Sequence, residues 1–325
     1  MEFLVVDWMG KPAWMWAAFI GVVVALLALD LGVLHRTERE IGVRESLLLS
    51  AMYIVIALLF GGWVWRELGA DSGLEFLTGF AVEKSLAMDN VFVIALIFTA
   101  FGIPRLYQHR VLFWGVLGVI ILRAVMIAGG AALVSRYEWV LYVFAAFLIF
   151  TGGRMITARR GADANVGHGV LTWLKRRIKV TDSLHGHHFF VRQLNRRGQA
   201  TLRATPLFLA LVTIEIADVI FAVDSVPAVF AITTDTFVVY TSNIFAILGL
   251  RALYFALAAV MHRFAYLKQA LAVLLVFIGG KVFAAPLLGL EKFPPAISLG
   301  VTAAILAAGI LWSIWKTRAE ARVDT

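Results

Sequence analysis

"VTIEIADVIFAVDSVPAVF" occupies residues 212–230. Its hydropathy suits the interior of a bilayer, yet it carries Glu215, Asp218, Asp224 and the helix breaker Pro227. A carboxylate at the centre of a membrane helix costs roughly 2.5–3.5 kcal/mol on insertion scales. Acids kept at that cost line ion or proton pathways, or are paired inside the bundle. If this stretch is a membrane helix, the fold is a helical membrane bundle and its acids are the first functional candidates.

The composition agrees. The chain has 325 residues, 61% hydrophobic and only 15% charged, and a mean hydropathy of +0.87. Soluble domains run nearer half apolar and a quarter charged. Nine apolar segments are long enough to span: 12–34, 47–65, 76–101, 110–134, 139–157, 205–232, 236–260, 268–288 and 295–315. One set of alternate connections holds 21 Lys and Arg residues and the other holds four, Lys11, Arg66, Arg136 and Lys292. The positive-inside rule then puts the N-terminus outside and the C-terminus in the cytoplasm. That partition accounts for the net charge of +8, so nucleic acid is not an expected partner; the lipid bilayer is. "MEFLVVDWMGK" lacks a basic leader region, so the first helix reads as a retained span. The expectation is an all-α polytopic membrane protein, a single membrane domain over 1–325.

Several functions are disfavoured. There is no cysteine, hence no disulfide framework or thiol chemistry. No nucleophile–His–acid set, phosphate loop or nucleotide motif is present, so neither an enzyme nor an ATP-driven pump is expected, and no resident cofactor. The long connection 158–204 is basic and contains "VLTWLKRRIKV" (170–180), which suits a helix lying on the membrane surface. Its "HGHH" (185–188) is a weak metal tract that reads equally as solvated loop.

Three pairs of segments repeat in order. "EKSLAMDNV" (83–91) matches "DVIFAVDSV" (218–226), "LRAVMI" (122–127) matches "LRALYF" (250–255), and "FTGGRM" (150–155) matches "FIGGKV" (277–282). Repeat A therefore covers about 76–157 and repeat B about 205–288, with 12–34, 47–65 and 295–315 as flanking helices. Three spans per copy is an odd number, so the copies run oppositely through the membrane. Secondary transporters built this way bind their substrate near the midplane.

Five intramembrane acids, Glu83, Asp89, Glu215, Asp218 and Asp224, face three basic residues near them, Lys84, Arg123 and Arg251. Pairing into structural salt bridges is one reading. The surplus of acid is what a divalent cation site requires. Glu215 and Asp218 share a helix face, but Asp224 falls about 180° from Glu215 on an ideal helix. Pro227 removes a hydrogen bond and crowds the Val223 carbonyl. We therefore expect a helix break near 222–225 that swings Asp224 toward the other two. Carboxylates with Asn90, Ser225 and backbone carbonyls are hard donors suited to manganese, magnesium or calcium. Lys84, Arg123 and Arg251 would balance charge in the metal-free site. Asp30 reads as an auxiliary ligand or an interfacial cap, and Asn243 as a hydrogen-bonding residue between helices.

"EKSLAMDNVFV" (83–93), "EIADVIFAVDSVPAVF" (215–230), "TSNIFAILGLR" (241–251) and "HFFVR" (188–192) resemble the TerC family of integral membrane proteins, most of all its Alx-type manganese exporters. The resemblance implies Mn²⁺ efflux across the bacterial inner membrane, with Glu83, Asp89, Asn90, Glu215, Asp218, Asp224 and Ser225 as metal-site residues. It also implies a link to tellurite resistance. Tellurite is an oxyanion that a carboxylate-lined site would repel, so any such resistance would be indirect. Ala217 departs from the Ser or Thr that relatives often place before the second acid. Clustered carboxylates raise one another's pKa, so Mn²⁺ efflux in exchange for protons is the expected coupling. The alternatives are export or exchange of another divalent cation such as Ca²⁺, and a stress-response scaffold that recruits proteins through 158–204 and holds a structural ion.

Overall fold

The computed structural model describes residues 7–32, 42–157, 180–181, 184–194, 200–258, 267–290 and 293–323. Helix dominates them, in the order α1 (Ala13–Gly32), α2 (Val43–Leu68), α3 (Ala70–Ala100), α4 (Arg105–Arg136), α5 (Val140–Thr157), α6 (Pro206–Phe230), α7 (Thr236–Leu248), α8 (Leu250–Ala258), α9 (Leu267–Leu287) and α10 (Pro295–Val323). Two antiparallel hairpins accompany them, β1 (Asp7–Trp8) with β2 (Lys11–Pro12) and β3 (Phe190–Leu194) with β4 (Ala200–Ala204).

Seven segments are long and apolar enough to cross a membrane: α2, α4, α5, α6, α7 with α8 (Thr236–Ala256), and most of α9 and α10. The apolar part of α1 is shorter, Ala13–Leu29. Helix α3 is 31 residues long but bears Asp71, Glu75, Glu83, Lys84 and Asp89. With every backbone group bonded inside its own helix, such segments can sit in hydrocarbon. The chain is a multi-pass membrane protein.

Local signals set several boundaries. Helix α6 starts after extended Thr205 with Pro206 in its first turn, where a missing N–H costs nothing. Asp235 caps α7: its Oδ1 accepts from the Phe237 and Val238 amides at 3.0 and 3.3 Å. Asp235 also pairs with Lys11 at 2.9 Å, tying the β1–β2 hairpin to the α6–α7 turn. At the opposite end of the bundle, Phe101, Tyr107, Leu184 and Phe189 pack on one cluster, and the Arg110 guanidinium lies 5.5 Å over the Phe189 ring.

Helix α3 is central and packs on α2, α6, α7, α8 and α10. Helix α4 packs on α6 and α7, and α5 lies along α9. The α5–α9 contact is close because of two glycines. A Cβ on Gly152 would sit 2.6 Å from the Ala272 carbonyl oxygen, and one on Gly279 would sit 2.5 Å from that of Ala145. A larger residue at either point would push the helices apart.

Three expectations are corrected. Helix α6 runs without interruption through 222–225, with Pro227 inside it. Pro227 is in the last turn, so it removes a single bond, to the Val223 carbonyl, and the Ala231 amide still closes on the Pro227 carbonyl at 2.9 Å. The interruption falls at Gly249, between α7 and α8. There Lys84 Nζ donates to the Ala246 carbonyl at 3.0 Å, supplying a partner to a helix end that has run out of amides. A Cβ on Gly249 would lie 2.8 Å from that nitrogen. Finally, the 158–204 connection contains the β3–β4 hairpin, which an all-α reading did not include. Most of the expected surface helix, 170–179, lies outside the described residues.

Candidate functional site

Arg123, on α4, is 1% exposed in the middle of the bundle. Its guanidinium grips Asp218 of α6 with two prongs, Nε to Oδ2 and Nη2 to Oδ1, both at 3.3 Å. Its Nη1 donates to Glu83 Oε1 of α3, to Ser225 Oγ of α6 at 2.9 Å and to Asn243 Oδ1 of α7 at 3.4 Å. Asn90 Nδ2, two turns further along the same face of α3, donates to Asp218 Oδ1 at 3.2 Å. Four helices thus meet on one cation. The planar fork of arginine suits a carboxylate held side-on.

The set contains one positive charge and two negative ones, all within a few per cent of full burial. It is also incompletely satisfied. Glu83 Oε2 and Asn243 Nδ2 are buried without a hydrogen-bond partner. Native interiors rarely leave such atoms unpaired.

The other predicted acids lie elsewhere. The Glu215 carboxylate rests against the backbone of α4 at Gly118: a Cβ there would lie 2.6 Å from Glu215 Cδ. Glu215 Oε2 is likewise buried and unpartnered. Asp224 turns to α5, where its Oδ1 accepts from Thr151 Oγ1 at 3.4 Å. The expected convergence of Glu215, Asp218 and Asp224 is therefore corrected: on an unbroken helix their angular spread keeps Asp224 on another face. Asp89 belongs to α3, but its side chain and that of Asp30 lie outside the described residues. Arg251 is buried on α8, and Lys84 serves the end of α7. Among the described residues, no three Asp, Glu or His side chains come together as a metal-holding group. In the loop, His185 Nε2 lies 3.1 Å from Gln193 Nε2, and the His187 and His188 rings are 4.8 Å apart.

A narrow cavity reaches this cluster. Asn90 and Ile94 of α3, Leu112, Gly115 and Val119 of α4, Ile214, Ala217, Asp218 and Phe221 of α6, and Leu250 line it. Asn90 and Asp218 are its polar residues. Its volume of ≈ 20 Å³ suits a water or one ion and no organic molecule. The residues lining it lie toward the C-terminus of α3 and the N-termini of α4 and α6, which is the β3–β4 end of the bundle.

Sequence reasoning placed Arg123 among the acids and Asn243 between helices. It missed Gly118 and Thr151. Gly115 and Gly118, three apart on one helix, were the available hint that α4 receives something closely; Thr151 sits inside the repeated "FTGGRM".

Residues 68–321 match the family described as "Integral membrane protein TerC family". "Uncharacterized membrane protein STKORF319" of Myxococcus xanthus is 48% identical over 310 residues, 95% of this chain and 94% of the relative. A Rickettsia bellii membrane protein is 45% identical over 300 residues, 92% and 96% of the two chains. The Escherichia coli K12 protein called "Putative membrane-bound redox modulator Alx" is 43% identical over 315 residues, 94% and 95%. No solved structure matches the chain.

Proposed function

The chain belongs to the TerC family of integral membrane proteins, and from that premise we propose that it exports a divalent cation, Mn²⁺, from the cytoplasm. The observation that carries the proposal is Arg123: a buried cation held between Glu83 and Asp218, beside an ion-sized cavity that Asp218 and Asn90 line. In the absence of cargo the guanidinium serves as the counter-ion of both acids. An incoming cation reaches Asp218 and Asn90 first and competes for the carboxylate that Arg123 holds.

The reading also proposes nine spans, with α1 and α3 crossing the membrane, and an inverted repeat of α3–α5 with α6–α9. Two observations support it. Glu83 and Asp218 are matched positions of the repeat, and both hold Arg123. Gly152 packs on Ala272 and Gly279 on Ala145, a reciprocal contact between positions that correspond in the two copies. The proposed topology puts the β3–β4 end in the cytoplasm, so the cavity opens toward the compartment that supplies the cargo.

Manganese rests on the hard-donor chemistry of the cluster and on the family resemblance. The name of the Alx relatives as redox modulators fits an indirect effect through metal content, because this chain has no cysteine to offer a thiol couple. The test is cation uptake into inverted membrane vesicles, with Mg²⁺, Ca²⁺ and Zn²⁺ as competitors. We expect protein-dependent Mn²⁺ uptake that Asp218→Asn abolishes, with a pH gradient setting its rate if protons are exchanged. Equal uptake of every divalent cation with and without the protein would overturn the proposal.

A further inference from the structure

The cavity at Arg123 has a counterpart in the repeat, and the counterpart is shut. Positions on α3 and α6 correspond with an offset of 135 (Glu83 to Asp218), those on α4 and α7–α8 with an offset of 128 (Arg123 to Arg251). Carried across, the cavity residues Asn90, Gly115 and Asp218 become Ser225, Asn243 and Glu83. The apolar Val116 and Val119 become Ile244 and Ile247. These five counterparts are all 3% exposed or less. The first set borders the cavity, and the second is packed interior.

We propose that Glu83, Ser225 and Asn243 form a second, outward half-site for the transported divalent cation, closed in this conformation, with Arg123 as the partner both half-sites share. The proposal rests on the cation-export reading. Three observations on the cluster point to it. Arg123 Nη1 touches all three residues of the closed half while Nε and Nη2 hold Asp218 of the open half. Glu83 is fully buried, yet its Oε2 has no hydrogen-bond partner. The closed half offers three oxygen-bearing side chains, a carboxylate, a hydroxyl and an amide, which is a hard-cation donor set.

In this proposal Phe230 closes it. Phe230 lies on α4 at Gly130, where a Cβ would meet its ring at 2.6 Å, and Ile127, Val226 and Val239 pack around it. These residues stand between the half-site and the Lys11–Asp235 end of the bundle. The residue corresponding to Phe230 on the open side is Ala95. The open side therefore has no ring at this position. Opening outward requires the Phe230 ring to leave Gly130.

The absence of native cysteine makes the test direct. Single Val116→Cys and Ile244→Cys variants are labelled in sealed vesicles of either orientation with Ag⁺, a thiol-reactive ion that the cavity can admit, and the thiols left unreacted are counted after denaturation. Val116→Cys is expected to react from the cytoplasmic side, and Ile244→Cys to resist labelling from both. Adding Phe230→Ala to Ile244→Cys should open labelling from the outside. Asn243→Ala should weaken Mn²⁺ affinity measured from the outer face about tenfold, the loss of one charge-assisted contact, and leave cytoplasmic-face affinity unchanged. Asn243→Asp should restore it. Ile244→Cys staying unreactive from outside after Phe230→Ala overturns the half-site, as does an equal loss of affinity on both faces in Asn243→Ala. If the unmutated protein binds no divalent cation from either face, the export reading itself fails and takes the half-site with it.

Discussion

Asp218 and Asp224 stand six residues apart on α6 and have separate surroundings. Asp218 is 5% exposed, clamped by Arg123 and touched by Asn90. Asp224 is half-buried and meets Thr151 at 3.4 Å, the long end of hydrogen bonding. The two positions differ by about 120° around the helix, which is enough to send one into the α3–α4–α7 core and the other toward α5. Identical chemistry on one helix has thus been divided between a tightly neutralised charge and a loosely held one. Surplus of acid in the sequence does not by itself mean a single site.

That comparison can be broken most forcefully at Arg123. Arg123→Leu strands Glu83 and Asp218, and losing one partner of a buried ion pair costs about 3–5 kcal/mol. Thermal unfolding in detergent should show a large drop. Arg123→Leu combined with Glu83→Leu and Asp218→Leu should recover most of the stability and none of the transport. An unchanged melting temperature in Arg123→Leu would mean that the pair is not what holds the four helices together.

The next test moves the acid that belongs to neither group. Gly118→Leu places a side chain where the Glu215 carboxylate now lies. Overpacking of this kind costs about 1–3 kcal/mol. The same substitution with Glu215→Ala should regain stability, since the collision is removed. If the double variant is no more stable than Gly118→Leu, the slot does not matter to Glu215.

Asp224→Asn sharpens the contrast. With one long hydrogen bond to lose, its stability should stay within about 0.5 kcal/mol of the parent. On the proposed function, Mn²⁺ efflux should nevertheless fall, because a loosely held acid is free to meet a cation. Full efflux in Asp224→Asn would restrict cargo handling to the Arg123 cluster. The smallest effect is expected from Pro227→Ala. It restores a helix amide and changes stability by less than about 1 kcal/mol. Paired cysteines at 151 and 224 should cross-link equally well with either residue at 227. Loss of that cross-link in Pro227→Ala would show that the proline does steer Asp224.

Much of this arrangement was readable beforehand, and the failures are informative. Helical phase alone put Asp224 opposite Glu215, and the structure keeps it away from Asp218's core. The error lay in letting Pro227 override that phase; a proline four residues from a helix end has almost no helix left to redirect. The real interruption, at Gly249, could not be read locally. Its partner is Lys84, 162 residues away from the carbonyl it bonds. The β3–β4 hairpin was missed because two five-residue strands leave a faint pattern inside a basic loop.

Hydropathy, the uneven spread of lysine and arginine, and three ordered segment matches determined by sequence alone that this is a polytopic membrane protein with costly interior charges. Those features follow from transfer free energy, which each segment carries with it wherever it packs. Which acid meets which partner was decided only by tertiary structure. Arg123 can neutralise two carboxylates, and the choice of Glu83 and Asp218 over Glu215 and Asp224 depends on how α3, α4 and α6 are rotated against one another. Rotation is set by close contacts such as Gly118 with Glu215 and Gly130 with Phe230, between residues distant in sequence.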